Sequence, residues 1–162
     1  MKASSCTIYC LCGACDAVDG EVISSIGKGL CVLVGISRDD TEADMEYLAR
    51  KLLNLRIFED DNGKRWNLSV RDKNLEILCV SQFTLYHVLK GNKLDFHCAM
   101  PAESSEEFYN RFLKLLRTQY KDDFVKDGKF GAYMTVNIEN DGPVTVELES
   151  PSKKSKEGDG QS

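Results

Sequence analysis

One segment, LEILCVSQFTL at residues 75–85, constrains the fold more than any other part of the chain. Its first half is almost continuously apolar and lacks the alternation of a strand that has one face in water. A strand of this kind is covered on both faces, as in sheets that are flanked by helices. The segment therefore predicts a central strand of an α/β domain, with polar residues at the strand end where such sheets bind ligands.

Two segments have the pattern of helices that would cover this sheet. A capping box at residues 41–44 precedes apolar residues at helical spacing, with an end expected near Asn54. A second capping box, at residues 104–107, precedes an apolar face formed by Phe108, Phe112, Leu115 and Leu116. With strands predicted at residues 21–26 and 30–36, the pattern indicates one α/β domain with a mixed sheet and two main helices.

Near its end the chain carries the residues NDGPVT at 140–145, between two segments that resemble strands. Proline cannot donate to a sheet ladder and is normally absent from central strands. We therefore expect two strands, at residues 132–138 and 144–148, separated by a turn. Residues 1–151 are predicted to form the domain, and the polar residues 152–162 a disordered tail.

Composition narrows the classes of function. The 162 residues carry a net charge of −5, which argues against a protein that coats nucleic acid by neutralising phosphates. No apolar stretch approaches the roughly 20 residues that a membrane helix needs. Seven cysteines without a convincing secretion signal indicate reduced thiols, and hence a cytoplasmic protein, with the nucleus as an alternative. Four of them lie close together near the start, but no second ligand pair follows, so no metal site is predicted.

The usual side-chain triads find little support. The chain has only two histidines, His87 and His97, and lacks a G-x-S-x-G elbow. The remaining candidates are the polar and aromatic residues at the end of the long strand, Ser81, Gln82, Phe83 and Thr84. Composition alone favours a simple strand end for these residues, in which Ser and Thr cap the strand, Gln faces water and Phe enters the core.

Several motifs together resemble the D-aminoacyl-tRNA deacylase family in its eukaryotic form. They are SQFTL at the strand end, NDGPVT near the terminus, LNLRIFED, DGEVISSIGKGL and DGKFGAYM. The similarity extends from about Asp19 to Pro151. The resemblance implies a barrel-like mixed sheet and a homodimer whose active sites lie at the subunit interface. It also implies hydrolysis of the ester bond of D-aminoacyl-tRNA, and of glycyl-tRNA mischarged on tRNA-Ala, without a cofactor.

The same resemblance assigns roles to the Gly-Pro motif. It implies that Gly142 and Pro143 are joined by a cis peptide bond and reach into the neighbour's pocket, where main chain excludes L side chains. Two carbonyl oxygens of this motif are expected to bind the substrate ammonium. Asn140 and Thr145 are expected to hold the turn by hydrogen bonds.

At the other motif, the resemblance implies backbone chemistry. The N–H groups near Phe83 and Thr84 would form an oxyanion hole, and the 2′-hydroxyl of the RNA would replace a protein nucleophile. Ser81 and Thr84 would then polarise the substrate and Gln82 would orient it, although Thr84 as a nucleophile stays an open alternative. Phe130 and Met134 are candidates for the adenosine pocket, and core packing explains them equally well.

The start of the chain departs from the family. Residues 1–18 replace the usual first strand with a Cys-rich segment that is a few residues longer, and the family's Arg near the Gly-Pro motif has no counterpart. Two alternatives therefore accompany the deacylase hypothesis. One is a catalytically impaired structural relative, and the other is a nucleic-acid-binding module that recognises DNA.

Overall fold

The computed structural model describes residues 5–151 and contains eight strands and three α-helices in this range. In chain order they are β1 (Ser5–Val18), β2 (Glu21–Ile26), β3 (Gly29–Gly35), α1 (Glu42–Asn54), α2 (Val70–Lys73), β4 (Glu76–Ser81), β5 (Val88–Lys90), β6 (Lys93–Asp95), α3 (Ala102–Gln119), β7 (Val125–Asp127) and β8 (Thr135–Glu149). None of the helices in this range is long and apolar enough to span a bilayer. The predicted tail at 152–162 lies outside the described residues.

The main sheet is mixed, as predicted. Its strands follow the order β2-β1-β3-β4-β7, and β8 pairs with the other edge of β1. The pairs β3–β4 and β4–β7 are parallel, and the others are antiparallel. Because β1 pairs with β3 through its first half, with β2 through its second half and with β8 along most of its length, the sheet curls into a nearly closed barrel.

The two main helices cover the sheet with the faces that the sequence predicts. Met45, Leu48 and Leu52 of α1 are buried, and so are Phe112 and Leu116 of α3. Burial of each such side chain is worth about 1.5–3 kcal/mol relative to exposure. Strand β4 is buried at four consecutive positions between β3 and β7, as its apolar sequence predicts.

The prediction of two final strands is wrong, because β8 is one strand that contains a bulge. Asn140 pairs with Leu11, and the next paired residue, Val144, lies opposite Cys10. Residues 141–143 therefore have no partner on β1, and Pro143 needs no ladder hydrogen bond. Strand β1 has its own irregularity beside this bulge, between Leu11 and Gly13. The divergent start thus forms a strand from Ser5 onward, with one extra residue accommodated there.

Other differences from the sequence prediction are local. The predicted strand at 75–85 ends at Ser81, and residues 83–85 form a 3-10 turn. Helix α3 begins at Ala102 after Pro101, so Ser104 is an internal residue and not a cap. Phe58 and Leu68 form a single isolated bridge. Elements α2, β5, β6 and β7 are short and have no counterpart in the sequence prediction.

Candidate functional site

The chain changes direction sharply where β4 ends, and this places the SQFT residues at a sheet edge. The Gln82 N–H donates to the carbonyl of Val34 at 2.8 Å, which extends the pairing of β4 with β3 by one residue. The chain then enters the 3-10 turn, whose bonds are donated by the N–H groups of Leu85 and Tyr86. Gly35 at the end of β3 permits this turn, because a Cβ there would lie 2.8 Å from the Leu85 Cβ.

The N–H groups of Phe83 and Thr84, at the start of the turn, are candidates for binding a ligand. The hydrogen bonds of the turn are donated by the N–H groups of Leu85 and Tyr86, so those of Phe83 and Thr84 make no hydrogen bond within the turn. The Gln82 side-chain amide donates to the Thr84 hydroxyl, and this bond ties the two polar side chains together. The Phe83 ring is 60% exposed and packs edge-on against Phe96, with ring centroids 5.1 Å apart.

The segment that carries the DGKFGAYM motif crosses the same edge of the sheet. The carbonyl of Cys79 in β4 accepts hydrogen bonds from the Gly128 N–H at 3.0 Å and from the Tyr109 hydroxyl at 2.9 Å. The Phe130 ring packs near that of Tyr109, at a centroid distance of 5.7 Å. These contacts hold residues 130–134 beside the end of β4.

A cavity of about 840 Å³ opens between these elements, and we call it the SQFT cavity. It is lined by the four residues of the strand-end motif, Ser81, Gln82, Phe83 and Thr84. The two candidates for the adenosine pocket, Phe130 and Met134, line it as well. Its other walls include Val34, Val80, Met100 and Phe96. The structure therefore places the four residues of the strand-end motif and the two candidates for the adenosine pocket around one cavity.

Neither histidine lines this cavity. His87 Nδ1 lies 2.9 Å from the Thr84 carbonyl oxygen, and its ring is exposed. The His97 ring contacts the Asp95 carboxylate, which also binds Lys90. The Lys90 ammonium, together with His97, holds the pKa of Asp95 well below its usual range. The cavity thus offers backbone donors and hydroxyl groups, with no histidine base on its walls.

The Gly-Pro motif lies at a different place, on the bulge of β8. Gly142 and Pro143 are exposed, and Gly142 has a φ of +103°, a conformation that residues with a Cβ rarely adopt. Asn140 Oδ1 accepts from the Val144 N–H at 3.3 Å, and Asn140 Nδ2 lies 3.4 Å from the Thr145 hydroxyl. Asn140 thus spans the bulge.

The implied cis isomer is not observed. Residues 5–151 contain no cis peptide bond, so Pro143 follows a trans bond. The chain reverses through the positive φ of Gly142 and the three unpaired residues of the bulge, and these accommodate Pro143 without the cis isomer. The alignment of two carbonyl oxygens was expected only for the cis form.

A second cavity, of about 600 Å³, contains the bulge, and we call it the Gly-Pro cavity. Its walls include the bulge residues 141–143 and the side chains of Lys28, Arg65, Trp66 and Lys73. The two cavities share no lining residue within the described chain. The two motifs therefore line different cavities of the described chain.

Sequence reasoning missed several residues of these sites. Trp66 is the single tryptophan of the chain and lies in a loop between Phe58 and Leu68. Its being the single tryptophan is the one feature of the sequence that distinguishes it. Tyr133, at the rim of the SQFT cavity, is 96% exposed. Asp16 in β1 is fully buried, and neither of its carboxyl oxygens has a hydrogen-bond partner within the described residues.

A metal-binding arrangement is also absent from the described part of the chain. No three His, Cys, Asp or Glu side chains there are grouped so that they could hold a metal ion. Among the cysteines with described side chains, Cys6 and Cys31 are buried, and burial raises the pKa of each thiol to about 12. These thiols therefore remain protonated at neutral pH and pack as small apolar groups.

Comparison with known proteins identifies close relatives. The sequence model of the D-Tyr-tRNA(Tyr) deacylase family matches residues 10–149. The chain is 65% identical to human D-aminoacyl-tRNA deacylase 1 over 134 residues. This aligned region covers 83% of this chain and 64% of the human protein. It is 64% identical over 134 residues to D-aminoacyl-tRNA deacylase of Drosophila melanogaster, covering 83% of this chain and 84% of the relative. The chain thus spans slightly less than two thirds of the human protein's length.

Solved structures agree with this result. A structure of the c-Myc DNA unwinding element binding protein has a TM-score of 0.89 and 59% identity, and the match covers 91% of this chain and 99% of that one. A probable eukaryotic D-amino acid tRNA deacylase has a TM-score of 0.80 at 18% identity, covering 91% and 100%, and so shares the fold. The family match, the identity and the fold together show that the chain belongs to the D-Tyr-tRNA(Tyr) deacylase family.

Proposed function

We propose that this chain hydrolyses the ester bond between a D-amino acid and the terminal adenosine of tRNA, releasing the free amino acid and tRNA. The observation that supports this most directly is the SQFT cavity, because it joins unconsumed backbone N–H groups to an aromatic pocket. Family membership and 65% identity to a D-aminoacyl-tRNA deacylase favour the same activity. Glycyl-tRNA mischarged on tRNA-Ala is a second proposed substrate, and the cytoplasm is the proposed location.

The proposed chemistry depends on main-chain donors. Water attacks the ester carbonyl, and the N–H groups of Phe83 and Thr84 bind the oxygen that becomes negative. The acyl C–O bond then breaks, and the ribose oxygen leaves with a proton. The 2′-hydroxyl of the terminal ribose assists this proton transfer, which accounts for a cavity without a histidine on its walls.

The side chains around the donors have positioning roles in this proposal. The Thr84 hydroxyl, held by the Gln82 amide, fixes the turn that presents the N–H groups. Ser81 polarises the bound ester. Phe130 and Met134 hold the adenine between them, because aromatic and sulfur-containing side chains pack well against a base.

Chirality is selected by exclusion, and a second copy of the chain supplies the excluding group. The Gly-Pro bulge cannot act on the SQFT cavity of its own chain if the two share no wall, whereas in a homodimer it can enter the partner's cavity. A fixed main-chain obstacle rejects L side chains by bulk and admits D-amino acids and glycine. This role requires a protruding bulge and does not require a cis bond.

The test is a comparison of substrates with a single enzyme preparation. D-Tyr-tRNA and Gly-tRNA-Ala should be hydrolysed far faster than L-Tyr-tRNA, and sedimentation equilibrium should show a dimer. Equal rates for the D and L esters would contradict the selectivity. No hydrolysis of any ester by a folded dimer would instead favour the catalytically impaired relative.

A second candidate function follows from one of the solved structures. The c-Myc DNA unwinding element binding protein is similar to this chain at a TM-score of 0.89. Binding of duplex DNA is therefore a further proposal, although a net charge of −5 counts against it. A titration of duplex DNA at 50 and 200 mM salt tests it, and absence of binding at the lower salt would contradict it.

A further inference from the structure

The loop that carries Trp66 is tightly organised. Phe58 and Leu68 exchange two backbone hydrogen bonds of 2.9 Å and so close its base. Inside the loop, the Asp60 carboxylate accepts from the N–H groups of Asn62 and Lys64 and from the Asn67 side chain, at 2.8–2.9 Å. The hydrogen bond from the Lys64 N–H, with the others, lowers the pKa of Asp60. The loop is therefore a rigid mount for the residues that it exposes.

Trp66 is presented by this loop in an unfavourable state. Its side chain is 59% exposed, and its φ is +58°, in the left-handed region that bulky residues rarely occupy. Exposed indole and strained backbone each cost free energy without helping the fold. Both are explained if the indole stacks against a ligand.

The surroundings of Trp66 indicate the charge of that ligand. The Gly-Pro cavity contains three cationic side chains, Lys28, Arg65 and Lys73, and two acidic ones, Glu59 and Asp141. The Lys73 ammonium donates to the Glu59 carbonyl oxygen at 3.0 Å, so its position is fixed. In a chain whose net charge is −5, this wall thus carries one more positive than negative charge, which favours a phosphate-bearing ligand.

We propose that the Gly-Pro cavity binds single-stranded RNA, with one base stacked on Trp66 and flanking phosphates held by Lys28 and Arg65. An aromatic platform beside cations is the arrangement that binds unpaired nucleotides. The inference rests on the proposed function and deepens it. The bulge that forms one wall of this cavity is the group proposed to enter the partner's SQFT cavity. The nucleotides that precede the terminal adenosine would therefore pass over Trp66.

A second copy of the chain is the other possible occupant of this surface. The composition of the cavity favours RNA, because the cores of protein interfaces are depleted of Lys and acidic residues. Here Lys28, Lys73 and Arg65 line the cavity together with Trp66. Dimer formation through Trp66 is kept as an outcome of the experiment.

The experiment uses a fluorescein-labelled RNA hairpin of the tRNA acceptor stem with an uncharged single-stranded CCA end. Because Trp66 is the single tryptophan, its intrinsic fluorescence should be quenched by this hairpin and much less by a blunt hairpin. By anisotropy, Trp66→Ala should weaken binding about tenfold, and Trp66→Phe should retain most of the affinity. In the double variant Lys28→Ala/Arg65→Ala, the slope of log K for RNA binding against log salt concentration should become less steep by roughly 1.5. Lys114→Ala on the outer face of α3, outside both cavities, is the matched control.

The outcomes separate this inference from the proposed function. Unchanged affinity of Trp66→Ala, with native circular dichroism, would overturn the inference, and so would a weaker dimer by sedimentation with unchanged RNA binding. Loss of RNA binding by Trp66→Ala would support it even if the wild-type chain hydrolysed no ester, since the hairpin carries no amino acid. Hydrolysis of D-Tyr-tRNA with full activity and affinity in Trp66→Ala would contradict the inference alone.

Discussion

The SQFT cavity and the Gly-Pro cavity differ in almost every physical respect. The first lies at the end of buried parallel strands, and its proposed functional groups are main-chain amides of the turn that follows β4. The second lies on an exposed bulge of an antiparallel strand and carries charged side chains and an indole. The comparison suggests a division of labour, in which one region breaks the bond and the other chooses the substrate. The two cavities share no lining residue in the described part of the chain.

The largest effect is expected from a substitution in the SQFT cavity that leaves the Gly-Pro cavity unchanged. Phe83→Pro removes one proposed oxyanion donor, and Gln82 before it has φ −142° and ψ 87°, outside the helical region that a following proline disfavours. We expect kcat/KM for D-Tyr-tRNA to fall about 10²–10³-fold, as for loss of one such donor. Phe83→Ala, which keeps the N–H group, should lose much less. Equal losses in the two variants would show that the ring matters and the amide does not.

A deletion in the second region should change selectivity instead. Removal of residues 141–143 would place Val144 directly after Asn140, and their partners Cys10 and Leu11 are already adjacent, so the β1–β8 register is preserved. Without the bulge, hydrolysis of L-Tyr-tRNA should rise and the D-to-L ratio of kcat/KM should fall at least about tenfold, or 1.4 kcal/mol. Turnover of D-Tyr-tRNA should change less. A deletion variant that stays fully D-selective would show that the bulge does not exclude L-amino acids.

A buried carboxyl beneath the first region should affect stability and leave selectivity intact. Asp16 is opposite Val136, which lines the SQFT cavity, and burial raises the pKa of Asp16, while the nearby Ala17 N–H lowers it by less. The folded state therefore binds this proton more tightly than the unfolded state. Its stabilising effect is complete below the usual pKa of 3.8 and is lost as the pH rises through the raised value.

Replacement of this carboxyl gives the measurement. Asp16→Val should increase the free energy of unfolding by about 1–3 kcal/mol at pH 7, because an unpartnered polar group is removed. The gain should shrink as the pH is lowered towards 4. Urea unfolding of both proteins at pH 4 and pH 7 checks this, and a gain that is independent of pH would mean that Asp16 is not the titrating group.

The smallest effect concerns the residue that spans the bulge. Asn140→Ala removes its hydrogen bonds to Val144 and Thr145, which are 3.3 and 3.4 Å long and partly exposed. We expect a loss of about 0.5–1.5 kcal/mol in stability and a fall in the D-to-L ratio of a few fold. Kinetics with both esters and urea unfolding measure the two effects. An unchanged ratio would mean that the bulge holds its shape without Asn140.

The sequence predicted elements whose signals are local. The helix that ends at Asn54, the turn between β2 and β3 and the buried face of β4 follow from periodicity and capping. The grouping of Ser81, Gln82, Phe83 and Thr84 with Phe130 and Met134 came from the family resemblance, and the structure places all six around one cavity.

The errors occurred where tertiary contacts override local signals. Two strands were predicted around Pro143 because proline usually ends a strand, but β1 pairs on both sides of the bulge and keeps β8 continuous. The end of β4 depends on the 3-10 turn at residues 83–85, about which the local sequence carries no information. The trans bond at Pro143 was likewise not deducible from the dipeptide. Trp66 was missed because an exposed aromatic residue in a polar loop has no periodic pattern.

The most direct test of the central claim asks whether the two regions act across a dimer. The 141–143 deletion variant, which should hydrolyse L-Tyr-tRNA, is mixed and equilibrated with a tenfold excess of inactive Phe83→Pro protein. Most deletion protomers then have a partner with an intact bulge, so hydrolysis of L-Tyr-tRNA should fall about tenfold while that of D-Tyr-tRNA persists. Unchanged hydrolysis of L-Tyr-tRNA in a confirmed mixed dimer would show that each chain selects its substrate alone, and would contradict the account.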